Sequence, residues 1–247
     1  MPKLPNLNKI KESFQKKAAT FKEDSSRLPN SNGLATVFFK ELADQLSSTR
    51  FFILFSLITL TGIVSFYSAA SNIRGTTEDA IANFVLIRLF TTSGSSLPSF
   101  TWFLSILGPL VGLSLGFDAI NAEQNSGTMT RLLAQPIYRD DVINGKFLAR
   151  FFVLVLMTLA LGFFVAGMGI IITGVPPTGE EIIRLLLYLV LSIVYMAFWL
   201  VLAMLLSLMF RQTATSALCG ISMWLFFSIF VPILAGMVAD AIFPITS

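Results

Sequence analysis

The chain has no histidine and one cysteine, Cys219, in 247 residues. Without an imidazole there is no histidine general base, no Ser-His-Asp triad and no histidine metal ligand. A lone thiol makes neither an internal disulfide nor a CxxC site, and it is expected to be a small buried apolar residue. Charge is scarce as well: 13% of residues are charged, against roughly 25% in soluble domains. No GxxxxGK[ST] run occurs, so the chain carries no phosphate-binding loop of its own. The nine methionines are scattered and form no copper-binding cluster. What is abundant is hydrocarbon: 55% of residues are hydrophobic, 24 of them Phe, and mean hydropathy is +0.78. Intrinsic disorder, a nucleic-acid-binding domain and a secreted disulfide scaffold are excluded, and the bilayer is the expected solvent.

A helix needs about 20 apolar residues to cross ~30 Å of hydrocarbon. Uncharged stretches run from Phe51 to Ile73, Leu89 to Phe117, Phe151 to Gly179, Leu185 to Phe210 and Gln212 to Ala239. Five spans follow, at about 51–73, 100–117, 148–173, 185–210 and 213–236. Strands there would leave backbone groups unpaired in lipid, so the expected fold is an all-α polytopic bundle. Fourteen basic residues precede span one, join spans two and three, or sit at Arg211; Arg74, Arg88 and Arg184 alone fall on the other side. The basic excess places the N-terminus in the cytoplasm and the C-terminus outside.

Residues 1–32 form a basic tail with no continuous apolar core. Ile10, Phe14, Ala18 and Phe21 share one helical face, which suits either a helix on anionic lipid or a solvated tail. Residues 33–50 read as an amphipathic interfacial helix, with Phe38, Leu42 and Leu46 apolar beside Lys40, Glu41 and Asp44. Outside, Asp79 to Phe90 reads as a short helix, and Glu180, Glu181 and Arg184 sit where water reaches the mouth of span four. Residues 51–239 make the transmembrane domain, and 240–247 an extracellular end.

No span holds an Asp, Glu, Lys or Arg near its middle, which disfavours a proton- or ion-coupled carrier. Gly108, Gly112 and Gly116 put three small residues on one face of span two, for packing within the chain or against a second subunit. Tyr188, Tyr195 and Trp199 form a stripe on span four that either packs or lines a substrate path.

The loop at 118–147 is the most informative segment. Asn125-Ser126-Gly127 signals a turn with Ser126 a candidate N-cap. A short helix from Thr128 to Ala134 then presents Met129, Leu132 and Leu133, flanked by Glu123, Arg131 and Arg139, and Pro136 ends it. Asp140 or Asp141 can cap the helix that leads into span three. Such a helix suits a groove on a cytosolic partner; an ordinary solvated loop is the other reading.

This loop resembles the ABC-2 type transporter permeases, especially the branch containing the nitrous-oxide-reductase maturation permease. The shared pattern is an acid ending span two, E-x-x-x-G-T, L-L-x-x-P, an Arg and N-G-K. Asp118, Glu123, Gly127, Thr128, Leu132, Leu133, Pro136, Arg139, Gly145 and Lys146 carry it, and the segment around Phe38 to Asp44 resembles the interfacial helix of that family. The resemblance implies a permease subunit in the cell membrane, not itself an enzyme. It implies a dimer with a second copy or a paralogue, surrounded by lipid and without nucleic acid. A cytosolic ATPase subunit would carry the ATP and Mg, this chain would bind no cofactor or metal, and loop 118–147 would be the coupling element. An exporter is the leading expectation, ahead of an ATPase-linked envelope-maturation or lipid-extraction component and a secondary carrier. Family members usually have six spans, so five imply truncation before a sixth, or a helix that is absent or supplied in trans.

Overall fold

A computed structural model describes residues 33–74, 87, 90–91, 98–127, 139–173 and 177–242, apart from the side chains of 68–74, 139 and 172–173. The described residues contain eight α-helices and no strand: α1 (Gly33–Leu46), α2 (Thr49–Arg74), α3 (Phe100–Gly116), α4 (Asn121–Ser126), α5 (Arg139–Thr173), α6 (Gly179–Met209), α7 (Thr213–Leu225) and α8 (Val231–Ile242). A π-helical turn, Phe226–Phe230, joins α7 to α8 without a break. Five helical segments are long and apolar enough to cross a membrane: Thr49–Tyr67, Phe100–Ser126, Asp140–Ile171, Gly179–Met209 and Thr213–Ile242.

Local chemistry sets the helix ends. Ser99 caps α3 by accepting a hydrogen bond from Trp102 N. Thr178 and Glu181 form a reciprocal capping box at the start of α6. That pairing buries Glu181, which sequence pattern placed in water beside the exposed Arg184–Glu180 pair. At 35 residues α5 is ~52 Å long, well beyond the hydrocarbon thickness, so its N-terminal turns project past it. Asp140 and Asp141 lie in its first turn as helical residues.

Two prolines shape the interior. Pro109, inside α3, has no N–H to offer Ser105, and the Tyr195 hydroxyl donates to the freed Ser105 carbonyl at 2.8 Å. Pro232, in the fifth span, likewise has no N–H to give its helix. Sequence alone ends that span at about 236. Instead the backbone widens by one residue over Phe226–Phe230, with Val231 N–H bonding Phe226 O, and the helix runs on through Asp240 to Ile242.

The core lies where α3 and α6 pack along each other and α5 backs them with α1 and α2. Phe90, Ile120, Leu154, Leu189 and Leu200 are its largest fully buried side chains. The π turn and α8 bury none of their residues, and Cys219 is half-buried rather than enclosed. The tail at 1–32, most of 75–97, and 243–247 lie outside the described residues.

Candidate functional site

At the basic end of the bundle α1 lies along α5, and one glycine sets their distance. A Cβ on Gly145 would sit 2.9 Å from Val37 Cγ1 and 3.2 Å from the Leu34 carbonyl. This approach brings Glu41 of α1 to the adjacent Lys146. Lys146 Nζ donates to Glu41 Oε1 at 2.6 Å and to Glu123 Oε1, on α4, at 2.7 Å. One turn further along α5, Arg150 donates from NH1 to Glu41 Oε2 at 3.1 Å and from Nε to the Leu115 carbonyl at 2.8 Å. Leu115 is in the last turn of α3, whose final carbonyls have no helical partner and favour a cation. Among the described residues, two acids and two bases thus form a network joining α1, α3, α4 and α5.

The network is buried: the side chains of Lys146, Arg150, Glu41 and Glu123 are 3, 5, 9 and 16% exposed. Each buried ion costs several kcal/mol to desolvate, so the arrangement persists only while every charge keeps its partner. Burial pushes the Glu41 carboxyl upward, but Lys146 and Arg150 outweigh it and hold its pKa below the ordinary 4.5. A depressed carboxylate pKa contributes stability that is present above the unfolded pKa and disappears as pH falls through the folded one. Thermal melts of the purified chain should therefore drop as pH falls below about 4.5, and Glu41→Gln should flatten that limb while lowering stability at neutral pH.

The first part of the loop is fixed on further sides. Ser207, fully buried on α6, accepts hydrogen bonds from Ile120 N at 3.0 Å and Asn121 N at 3.2 Å. Asn121, also fully buried, donates from Nδ2 to the Phe117 carbonyl at 3.1 Å. Asp118 pairs with Arg50 of α2, whose guanidinium lies over the Phe117 ring. Residues 118–127 are thus bound to α2, α5 and α6 together. Ser207→Ala would leave two buried amides without an acceptor, at about 1–3 kcal/mol for each group. Denaturant titration should detect this loss, and backbone amide exchange should rise at residues 120 and 121.

Gly108, Gly112 and Gly116 all face α6. Cβ atoms there would lie 3.1 Å from Met196 Cγ, 2.6 Å from the Met196 carbonyl and 2.7 Å from Ala203 Cβ. This glycine face is occupied within the chain. Beside it, Trp102, Ser105, Tyr195, Phe198, Trp199 and Phe227 line an open cavity of about 640 Å³. Tyr188 sits one step away on the same face of α6, but Phe90 fills the space next to it at 5.3 Å, and its hydroxyl lies 3.2 Å from Thr101 Oγ1. Tyr195 and Trp199 therefore share a cavity that Tyr188 does not reach.

With this geometry in place, comparison with known proteins is decisive. The profile of the ABC-2 family transporter proteins matches residues 35–244, most of the chain. The chain belongs to the ABC-2 transporter family. It is similar to the probable ABC transporter permease protein NosY of Pseudomonas aeruginosa, 34% identical over 139 residues, covering 55% of this chain and 45% of that protein. It is also similar to the protein of the same name from Stutzerimonas stutzeri, 35% identical over 81 residues, covering 33% and 29%. The matched stretch spans less than half the length of either relative. Family and helices together make this ABC-2 permease an integral protein of the plasma membrane.

Several readings of the loop change in this permease. Ser126 is the last residue of α4, not an N-cap: its hydroxyl donates back to the Glu123 carbonyl, and Gly127 ends the helix in the left-handed region at φ +69°. Glu123 is also a member of the internal network, through Lys146. Thr128, Met129, Arg131, Leu132, Leu133 and Pro136 lie outside the described residues, as does the Arg139 side chain. Sequence reasoning missed Glu41 and Arg150 as partners and Ser207 as an anchor. For Glu41 the N-G-K step was the visible sign, since Gly145 marks where the backbone of α1 comes close to α5.

Proposed function

We propose that the chain is the membrane subunit of an ABC exporter and works on ATP hydrolysed by a separate cytosolic subunit. The basic end faces the cytoplasm, and loop 118–147 seats on the ATP-binding subunit through Met129, Leu132 and Leu133. The observation that carries this reading is the double contact of Lys146, buried between Glu123 of the loop and Glu41 of α1. A displacement of the loop cannot leave Glu123 behind without uncovering a buried charge, so α1, α5 and the last turn of α3 move with it as one body. Closure of two ATP-binding subunits beneath a pair of such permeases would thereby tilt the spans. The cavity at Tyr195 and Trp199 is the candidate substrate path, with aromatic walls and neutral polar groups that suit an amphiphile.

Co-purification tests the partner. The chain, expressed with the ATP-binding subunit encoded beside it, should retain that subunit in mild detergent. Met129→Asp with Leu132→Asp should abolish retention while membrane insertion is unchanged. Equal retention by the variant would overturn the docking assignment.

A further inference from the structure

Between α5 and α6, at the basic end, a groove of about 300 Å³ runs past Phe147, Val201, Leu205 and Leu208. Leu208 also lines a second recess of about 680 Å³, walled by Gln124, Asn125, Met209 and Arg211. The two differ in chemistry. The groove is apolar for ~10 Å along α6, and Val201, Leu205 and Leu208 are each about half exposed. The recess offers two carboxamides and a guanidinium, with no acidic side chain among its described walls. No carboxylate pairs with Arg211 among the described residues. The first turn of α7 starts two residues later, and its N-cap, Gln212, makes no side-chain cap bond, which adds positive partial charge.

We propose that the two recesses form one site for an anionic phospholipid, with its acyl chain in the α5–α6 groove and its phosphate on Arg211, Asn125 and Gln124. An apolar trough alone would take any hydrocarbon, and an exposed arginine alone is a solvated surface. Their junction at Leu208, where α6 leaves its apolar run, matches a molecule whose charge sits at the end of a hydrocarbon chain. A soluble phosphate would leave the groove unused. The site shares Gln124 and Asn125 with the start of the loop but includes neither the docking residues Met129, Leu132 and Leu133 nor the Tyr195 cavity, so lipid binding is tested apart from transport.

Native mass spectrometry of the purified, delipidated full chain tests it. The probes are phosphatidylglycerol, phosphatidylcholine with the same acyl chains, and glycerol phosphate. One phosphatidylglycerol should remain bound, and Arg211→Gln should weaken it about fivefold while phosphatidylcholine, whose choline offsets the phosphate charge, should lose less. Arg211→Lys should keep the preference, and Leu205→Trp, which fills the groove, should weaken both lipids. The melting temperature of the Arg211 variants should be unchanged, since that side chain is exposed. An unaltered lipid preference in Arg211→Gln would overturn the site. So would glycerol phosphate binding as tightly as the lipid, which makes it a soluble-anion site, or a dimer that takes up lipid only on dissociation, which makes the groove a protein interface.

Discussion

Replacing Lys146 by methionine should destabilise the permease by about 3–5 kcal/mol, the usual cost of removing one partner from a buried ion pair. Methionine fills the volume of the lysine stem, so the loss reports the charge. Glu123 and Glu41 then lie buried with Arg150 as the remaining cation, and Arg150 reaches Glu41 alone. Adding Glu123→Gln should recover part of the loss, because it removes one of the two buried carboxylates that Lys146 neutralises. Unfolding in mixed detergent, carried out on both single variants and the double, gives the coupling between the sites. The ATPase rate of the complex is the second readout. On the proposed coupling role, the variant should still hold the ATP-binding subunit but no longer respond to it, since Met129, Leu132 and Leu133 are untouched and the link to α1 is cut. A Lys146→Met protein as stable and as responsive as the parent would remove the network from the account.

The second large effect is at Gly112. The nearest atoms to an added Cβ are the backbone carbonyl of Met196 at 2.6 Å and the backbone nitrogen of Leu200 at 2.9 Å. No rotamer change relieves a clash with backbone, so Gly112→Leu must push α3 off α6, at about 3 kcal/mol or more. Because α3 and α6 carry the Tyr195–Ser105 bond and the Ser207 anchor, the Tyr195 cavity and the start of the loop should loosen with it. Gly167→Ala is the control: nothing lies within 4 Å of the added carbon, and the change should stay within about 0.5 kcal/mol of neutral. Melting curves of the two variants, run beside the parent, would show whether close helix approach is the reason for the glycines.

Much of the fold was legible because hydrocarbon imposes a simple rule, that charge-free runs of sufficient length become helices. The first span expected at 51–73 is Thr49–Arg74, and the second, expected at 100–117, is Phe100–Gly116. The rule failed where charges are paired instead of excluded. A helix starting near Asp140 and leading into span three was expected, and α5 runs unbroken from Arg139; what went unread is that Lys146 and Arg150, counted as loop cations, are buried on it. Glu41 was assigned to the wet side of its helix for the same reason. Its partners stand 105 and 109 residues away, beyond any periodicity read from a window. The helix of span five, expected to end at about 236, runs on to Ile242, with a π turn just ahead of Pro232. Asn125-Ser126-Gly127 marked a turn correctly but not its direction, since the same residues start one helix or end another. Ser207 carried no local signal at all: a serine in an apolar run ordinarily bonds its own helix.

The claim that loop 118–147 meets a cytosolic ATP-binding subunit is tested most directly by photo-crosslinking in intact membranes. A photoreactive residue would replace Leu132 in the loop or Glu180 at the opposite end of the bundle, with the ATP-binding subunit co-expressed. Illumination should give an adduct with that subunit from position 132 and none from position 180. An adduct from 180 with none from 132, or no adduct from 132 in a preparation where the two proteins co-purify, would contradict the orientation and the coupling role together.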